Sequence, residues 1–258
     1  MLLVLSPAKS LDYITPACTE VWTKPAFMKR SAELVSLLRT LSAAEIGSLM
    51  KISDPLAQLN AQRFQAWSPR FSKNKAKQAI LAFDGDVYDG LNARAMTSGQ
   101  LAYLQSHLRI LSGLYGMLRP LDLMQPYRLE MGTRLPNPAG RDLYAFWGDS
   151  LTEALNDAFV GQRDRTLVNL ASEEYFRVVK VKALNAQVVS PVFEDWKSGQ
   201  YKVVSFFAKR ARGAMAAYAA RHGVATAERL QSFTADGYRF DASTSDRSVW
   251  RFRRRREA

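Results

Sequence analysis

The chain has 258 residues, 47% hydrophobic and 23% charged, a globular balance that excludes disordered and fibrous classes. Its 36 Lys+Arg against 24 Asp+Glu give a formal charge of +12, which points to polyanionic partners, nucleic acid above all. No apolar run approaches the ~18 residues of a membrane span, the N-terminal residues lack the basic segment of a signal peptide, and a lone Cys18 excludes an internal disulfide or a Cys-rich metal site.

Leu2–Leu5 reads as a short buried strand stopped by Pro7. Phe27, Leu34, Leu38 and Leu41 keep the spacing of an amphipathic helix. Ser42-Ala-Ala-Glu45 has the form of a capping box opening a second helix, and Leu56, Leu59, Phe64 and Trp67 mark a third. Ala79–Phe83 reads as another buried strand, followed by the turn-rich stretch Asp84–Gly90. Thr97-Ser-Gly-Gln100 opens a helix with the stripe Leu101, Leu104, Leu108 and Leu111. Tyr127–Met131 alternates like a strand, with Arg128 and Glu130 on one face and able to pair. Leu143, Trp147, Leu151 and Leu155 define the next helix, and Thr166–Leu170 the next strand. Ala186–Trp196 and Tyr201–Phe207 read as a hairpin, Ala208–Arg221 as a helix closed by Gly223. Tyr238–Asp241 and Val249–Arg253 suit a last hairpin. Helices and strands mix without repeat or linker, so the expectation is a mixed α/β fold in a single compact domain over residues 1–258.

Common catalytic signatures are missing. Neither His107 nor His222 has a zinc-ligand partner at useful spacing, and no Walker A or G-x-G-x-x-G stretch occurs, so no metal or cofactor is expected. Asp84–Gly90 fails the calcium-loop spacing. Ser6-Pro-Ala-Lys9 has the S-x-x-K form without its companion motifs, so Ser6 reads as the cap of a turn. Lys9 stands just past a strand end, a usual place for a ligand-facing cation.

Two stretches suit phosphate. Leu111-Ser-Gly-Leu-Tyr-Gly116 lies between two helical pieces, so it reads either as a structural helix cap or as a helix-hairpin-helix-like turn, within about residues 98–125. In the second case the backbone N–H groups of Gly113 and Gly116 hold phosphate, with Arg109 and Arg119 on either side and Tyr115 able to stack on an exposed base. Lys209, Arg210 and Arg212 crowd a helix start, where cations oppose the helix dipole unless an anion sits among them. Residues 201–258 carry 13 Lys/Arg against 5 Asp/Glu, and the Arg-rich end, 251–258, reads as a solvated basic tail that leaves the last strand near Arg253.

Five stretches then resemble the bacterial YaaA family: Ser6-Pro-Ala-Lys9-x-Leu-Asp12, Gly85-Asp-Val-Tyr88-x-Gly-Leu91, Leu111–Pro120, Asn169-Leu-Ala-Ser172 and Ala208-Lys-x-Ala-Arg-Gly213. The likeness runs in order along essentially the whole chain, least at the Arg-rich end. The resemblance implies a cytoplasmic protein of the response to hydrogen peroxide that limits damage to DNA and protein and restrains unincorporated iron. It also implies a positively charged cleft and a helix-hairpin-helix element binding duplex or distorted DNA. The expected DNA contacts are Gly113, Gly116, Tyr115, Arg109, Arg119, Lys9, Lys209, Arg210 and Arg212, mostly to phosphate and so with little sequence specificity. Direct peroxide destruction is not expected of one Cys and two scattered His. The competing expectation is an enzyme acting on a small anionic or nucleotide-like substrate in the same cleft, through Lys9, Tyr88, Arg128, Glu130 and Lys209. A structural or partner-binding protein has only the basic tail in its favour.

Overall fold

In the computed structural model, which describes residues 1–70 and 73–255, the continuous apolar run Leu2–Leu5 is completely buried as the central strand of a mixed sheet. Burial on both faces is what a parallel strand requires, and it explains why the run does not alternate. The sheet strands are β1 (Leu2–Leu5), β2 (Leu108–Ser112), β3 (Gly116–Leu118), β4 (Thr166–Leu170), β5 (Gln187–Lys197), β6 (Gln200–Lys202), β7 (Arg239–Phe240) and β8 (Val249–Arg254). Their order is β7-β8-β5-β4-β1-β2-β3, with β6 also on β5. The pairs β1–β2, β1–β4, β4–β5 and β5–β8 are parallel. Three hairpin partners, β3, β6 and β7, are antiparallel. From β1 the chain goes first to β2 on one side and later to β4 on the other, so the direction of winding reverses between β1 and β4.

The helices are α1 (Met28–Leu38), α2 (Ala43–Met50), α3 (Asp54–Ala66), α4 (Ala79–Ala82), α5 (Asp86–Leu91), α6 (Ser98–His107), α7 (Leu143–Trp147), α8 (Ser150–Ala158), α9 (Glu173–Phe176) and α10 (Ser205–Arg221). Both capping boxes form: the Ser42 hydroxyl accepts from Glu45 N–H at 3.3 Å, and the Thr97 hydroxyl from Gln100 N–H at 3.3 Å.

Several local readings need correction. Tyr201–Phe207 is strand only as far as Lys202, and α10 already begins at Ser205, so Lys209, Arg210 and Arg212 lie inside that helix and not at its start. Ala79–Phe83 is one helical turn, α4, rather than a strand; its flanks instead join the ribbons Lys77–Gln78 with Leu123–Met124 and Ser10–Leu11 with Phe83–Asp84. The α6 helix stops at His107, where the Arg109 guanidinium donates to the carbonyls of Gln105, Ser106 and Leu108. Leu108–Ser112 is thereby freed to pair with β1. Tyr127–Met131 joins no ladder, yet burial alternates along it: Tyr127, Leu129 and Met131 face the core while Arg128 and Glu130 face out. The segment 251–255 is no tail. Arg251–Arg254 belong to β8; Arg254 is only 4% exposed, 2.5 Å from Asp195, and its guanidinium lies over Tyr238 and Phe207. Residues 256–258 of that expectation lie outside the described residues.

A close crossing of α5 and α10 organises one end of the sheet. A Cβ built on Gly90 would lie 2.0 Å from the Arg210 carbonyl oxygen, and one on Gly213 would lie 1.7 Å from that of Val87. Only glycine allows backbones this near. The Ala208, Ala211, Ala216, Ala217, Ala219 and Ala220 side chains keep the rest of α10 slim enough to stay buried.

Candidate functional site

In open α/β sheets, ligands bind beyond the carboxyl ends of the strands where the winding reverses. Here that place is between β1 and β4, and it is hollow: a cavity of 410 Å³ opens past Leu5 and Leu170. Two serines join the strand ends. Ser172 N–H donates to Ser6 Oγ at 2.8 Å, and the two hydroxyl oxygens are 3.2 Å apart. The Tyr88 hydroxyl donates to the Ser6 carbonyl at 3.1 Å, and burial raises its pKa well above the phenol range. Tyr88 therefore holds the Ser6 turn from behind and does not line the hollow.

Charge converges on this hollow from several segments, among them Asp84 from the Phe83–Asp84 ribbon and Glu174 from α9. Lys9 comes from the loop after β1, Asp86 from α5, Lys209 and Arg212 from α10, and Glu130 from the alternating segment. Lys9 Nζ is 3.1 Å from Glu130, whose other oxygen is 3.3 Å from Arg128, so one carboxylate sits between two cations. The expected Arg128–Glu130 pair is thus present. Lys209 reaches Asp86 at 3.5 Å. Arg212 has no carboxylate within ion-pair distance among the described residues, and burial lowers its guanidinium below the usual range. Glu174 accepts from Gly132 N–H at 3.0 Å and, with Glu130, forms the wall shared with a second hollow.

This outer hollow has a volume of 630 Å³ and is lined by Ser48–Lys51, Arg128, Glu130, Gly132–Arg134 and Glu174. Lys51 stands at the three-residue turn between α2 and α3 in left-handed conformation, φ 53°. This short turn joins α2 to α3 within residues 43–66, whereas the expected element at 98–125 is one helix, α6, followed by the strands β2 and β3.

The expected phosphate-binding turn at Gly113–Gly116 is a correction. It joins β2 to β3 inside the molecule, and Tyr115 is 0% exposed, so it cannot stack on a base. Its backbone groups are used internally: Tyr115 N–H donates to Ser112 Oγ at 2.9 Å, and the Gly113 carbonyl accepts from Trp147 Nε1 at 3.0 Å. Gly113 is glycine because a Cβ would lie 2.2 Å from the Leu129 carbonyl oxygen; one on Gly116 would lie 2.7 Å from the Trp147 ring. Arg109 caps α6, Arg119 pairs with Asp122 at 3.3 Å, and neither lines a hollow. Arg210 points away from its neighbours on α10 and reaches Asp236 at 3.5 Å.

Of the expected residues, the structure brings Lys9, Arg128, Glu130, Lys209 and Arg212 together. Sequence reasoning missed the Ser6–Ser172 pair, Glu174, Asp86, Lys51 and Arg134. A signal was present for Ser6 and Ser172, since both follow apolar runs that read as strands. Among the described residues no group of three or more His, Cys, Asp or Glu is placed to hold a metal ion, and no helix is long and apolar enough to cross a membrane.

The chain matches the family model described as peroxide stress protein YaaA over residues 1–244. It is 65% identical over 255 residues to a UPF0246 protein of Janthinobacterium sp. (strain Marseille) and 62% identical over 255 residues to one of Ralstonia pickettii (strain 12J), each covering 99% of both chains. A UPF0246 protein of Cupriavidus pinatubonensis is 58% identical over the full length of both. Matched along nearly its whole length, the chain belongs to the peroxide stress protein YaaA family.

Proposed function

We propose that this peroxide-stress protein acts in the cytoplasm by binding DNA, through the outer hollow and its rim. The carrying observation is that exposed Lys51 and Arg134 stand at this hollow without a carboxylate partner among the described residues, beside half-buried Arg128. Solvated cations free of internal partners are the groups able to replace counterions on phosphate. The α2–α3 hairpin, which presents Lys51, takes the role first expected of residues 98–125. Contacts of this kind position a duplex without reading its sequence. Limiting damage to DNA follows from occupying it. Restraint of unincorporated iron, which the resemblance implied, is given no residue in this proposal.

Fluorescence anisotropy on a labelled duplex across a salt series tests this. With about 4–6 phosphates neutralised, log K against log[salt] has an expected slope of roughly −4 to −5. Lys51→Gln with Arg134→Gln should make the slope shallower by about 2, whereas Arg109→Gln with Arg119→Gln, already engaged elsewhere, should change it less. No binding at low salt, or equal effects of the two double variants, would overturn the assignment.

A further inference from the structure

The inner hollow is a different environment from the outer one. It is lined by three cations, Lys9, Lys209 and Arg212, and four carboxylates, Asp84, Asp86, Glu130 and Glu174. Such a balance does not suit a polyanion, because a triphosphate would face more negative than positive charge. It suits a ligand that carries one anionic group and also hydrogen-bond donors. Arg212 supplies the cation that no carboxylate among the described residues neutralises, and the Ser6 and Ser172 hydroxyls lie together at the strand ends. Glu130 and Glu174 supply acceptors of the kind that take hydrogen bonds from exocyclic base amines. Pro7, Val87, Leu170 and Tyr175 offer apolar wall for a planar ring. At 410 Å³ the cavity is in the range of small-molecule sites.

From these features we infer that the hollow between β1 and β4 is a binding site for a single nucleotide with an amino-bearing base, its phosphate toward Arg212 and its base amine toward the carboxylate wall. The inference goes beyond duplex binding and does not require it. The nucleotide has two possible sources, free in solution or extruded from a strand held in the adjoining outer hollow, with which the site shares Glu130 and Glu174.

Calorimetric titration of the folded full chain with 2′-deoxycytidine 5′-monophosphate tests it. Expected are saturable binding, at least fivefold weaker binding of thymidine 5′-monophosphate, and no gain for the cytidine triphosphate. Arg212→Gln should weaken the monophosphate at least tenfold, while Arg210→Gln, two residues away on the other face, leaves it unchanged. If Arg212→Gln does not fold, hydrogen exchange on the parent replaces it, with nucleotide-dependent protection expected at Ser6–Lys9 and Ala171–Ser172. No monophosphate binding, equal binding by both arginine variants, or absent protection at those segments would overturn the inference. A duplex with one extrahelical 2-aminopurine separates the sources: displacement of its fluorescence by the monophosphate shows an extruded base in the hollow, and monophosphate binding without displacement shows a free nucleotide. Duplex binding without monophosphate binding defeats only this inference; monophosphate binding without duplex binding defeats only the DNA reading.

Discussion

Replacing Gly213 by alanine separates two views of α10. In an isolated helix the change stabilises by about 1 kcal/mol, because alanine loses less backbone freedom. In this fold the added Cβ would stand 1.7 Å from the Val87 carbonyl oxygen and 2.8 Å from the Leu91 nitrogen. A carbon–oxygen contact normally needs roughly 3.3–3.6 Å, so α5 must retreat by more than an ångström. Overpacking costs about 1–3 kcal/mol even where side chains can adjust. Here the obstacle is backbone on both sides, so a net loss of at least about 2 kcal/mol is expected after the propensity gain. Urea denaturation followed by circular dichroism measures it. Gly99→Ala is the control: its Cβ meets only Thr97 Oγ1 at 3.9 Å, and the variant should be neutral or more stable. A Gly213→Ala protein as stable as the parent would refute the close-crossing argument.

Two further outcomes follow from buried or clustered charge. Arg254→Ala should lower stability by about 3–5 kcal/mol, because among the described residues it leaves buried Asp195 with the Tyr238 hydroxyl at 2.8 Å and no cation; a melting temperature like the parent's would return the segment to the role of a tail. Asp12 accepts from Thr15 N–H at 2.8 Å and Ile14 N–H at 2.9 Å and pairs with Arg94 at 2.7 Å. The Thr15 backbone bond first, then the Thr15 side chain, the Ile14 backbone bond and the nearby charge of Lys77, hold its carboxyl below the usual carboxylate range. Its stabilisation is therefore present above the unfolded value of about 4 and is lost as pH falls through the lower folded value. Asp12→Asn should melt below the parent at neutral pH, with a deficit that narrows below about pH 4; a constant deficit down to pH 3 would assign the effect to shape instead of charge.

Strong local patterns were legible in the sequence wherever local physics decides the outcome. The strands at Leu2–Leu5 and Thr166–Leu170, both capping boxes and the Gly223 helix stop need only neighbouring residues. The readings that failed depend on distant partners. Leu108 and Leu111 fit a helical stripe, but β1 offers Leu108 a ladder and β3 offers one to Leu111, and Arg109 ends the helix at His107. Arg251–Arg254 look like a solvated run until Glu194 and Asp195 on β5 and Asp241 are placed beside them. Of the site, Lys9, Arg128, Glu130, Lys209 and Arg212 could be named from their types and positions, but not which of them lack a partner.

That last property decides what the cleft can do. A cation whose charge is met inside the protein must break that pair before it can hold a ligand, which removes much of the gain. Lys9 is engaged by Glu130 and Lys209 by Asp86, so both act on a ligand through a shared carboxylate. Lys51 and Arg134 at the outer hollow and Arg212 at the inner one have no such cost among the described residues. Binding strength should therefore follow these three residues more closely than it follows the total charge of +12. The wall of Glu130 and Glu174 lies between the two groups, so a strand held outside meets negative charge before it meets Arg212. On the proposed reading, only a unit that brings donors to that wall gains from passing it, so the carboxylates select for base amines while Arg212 takes the phosphate of the nucleotide that has passed.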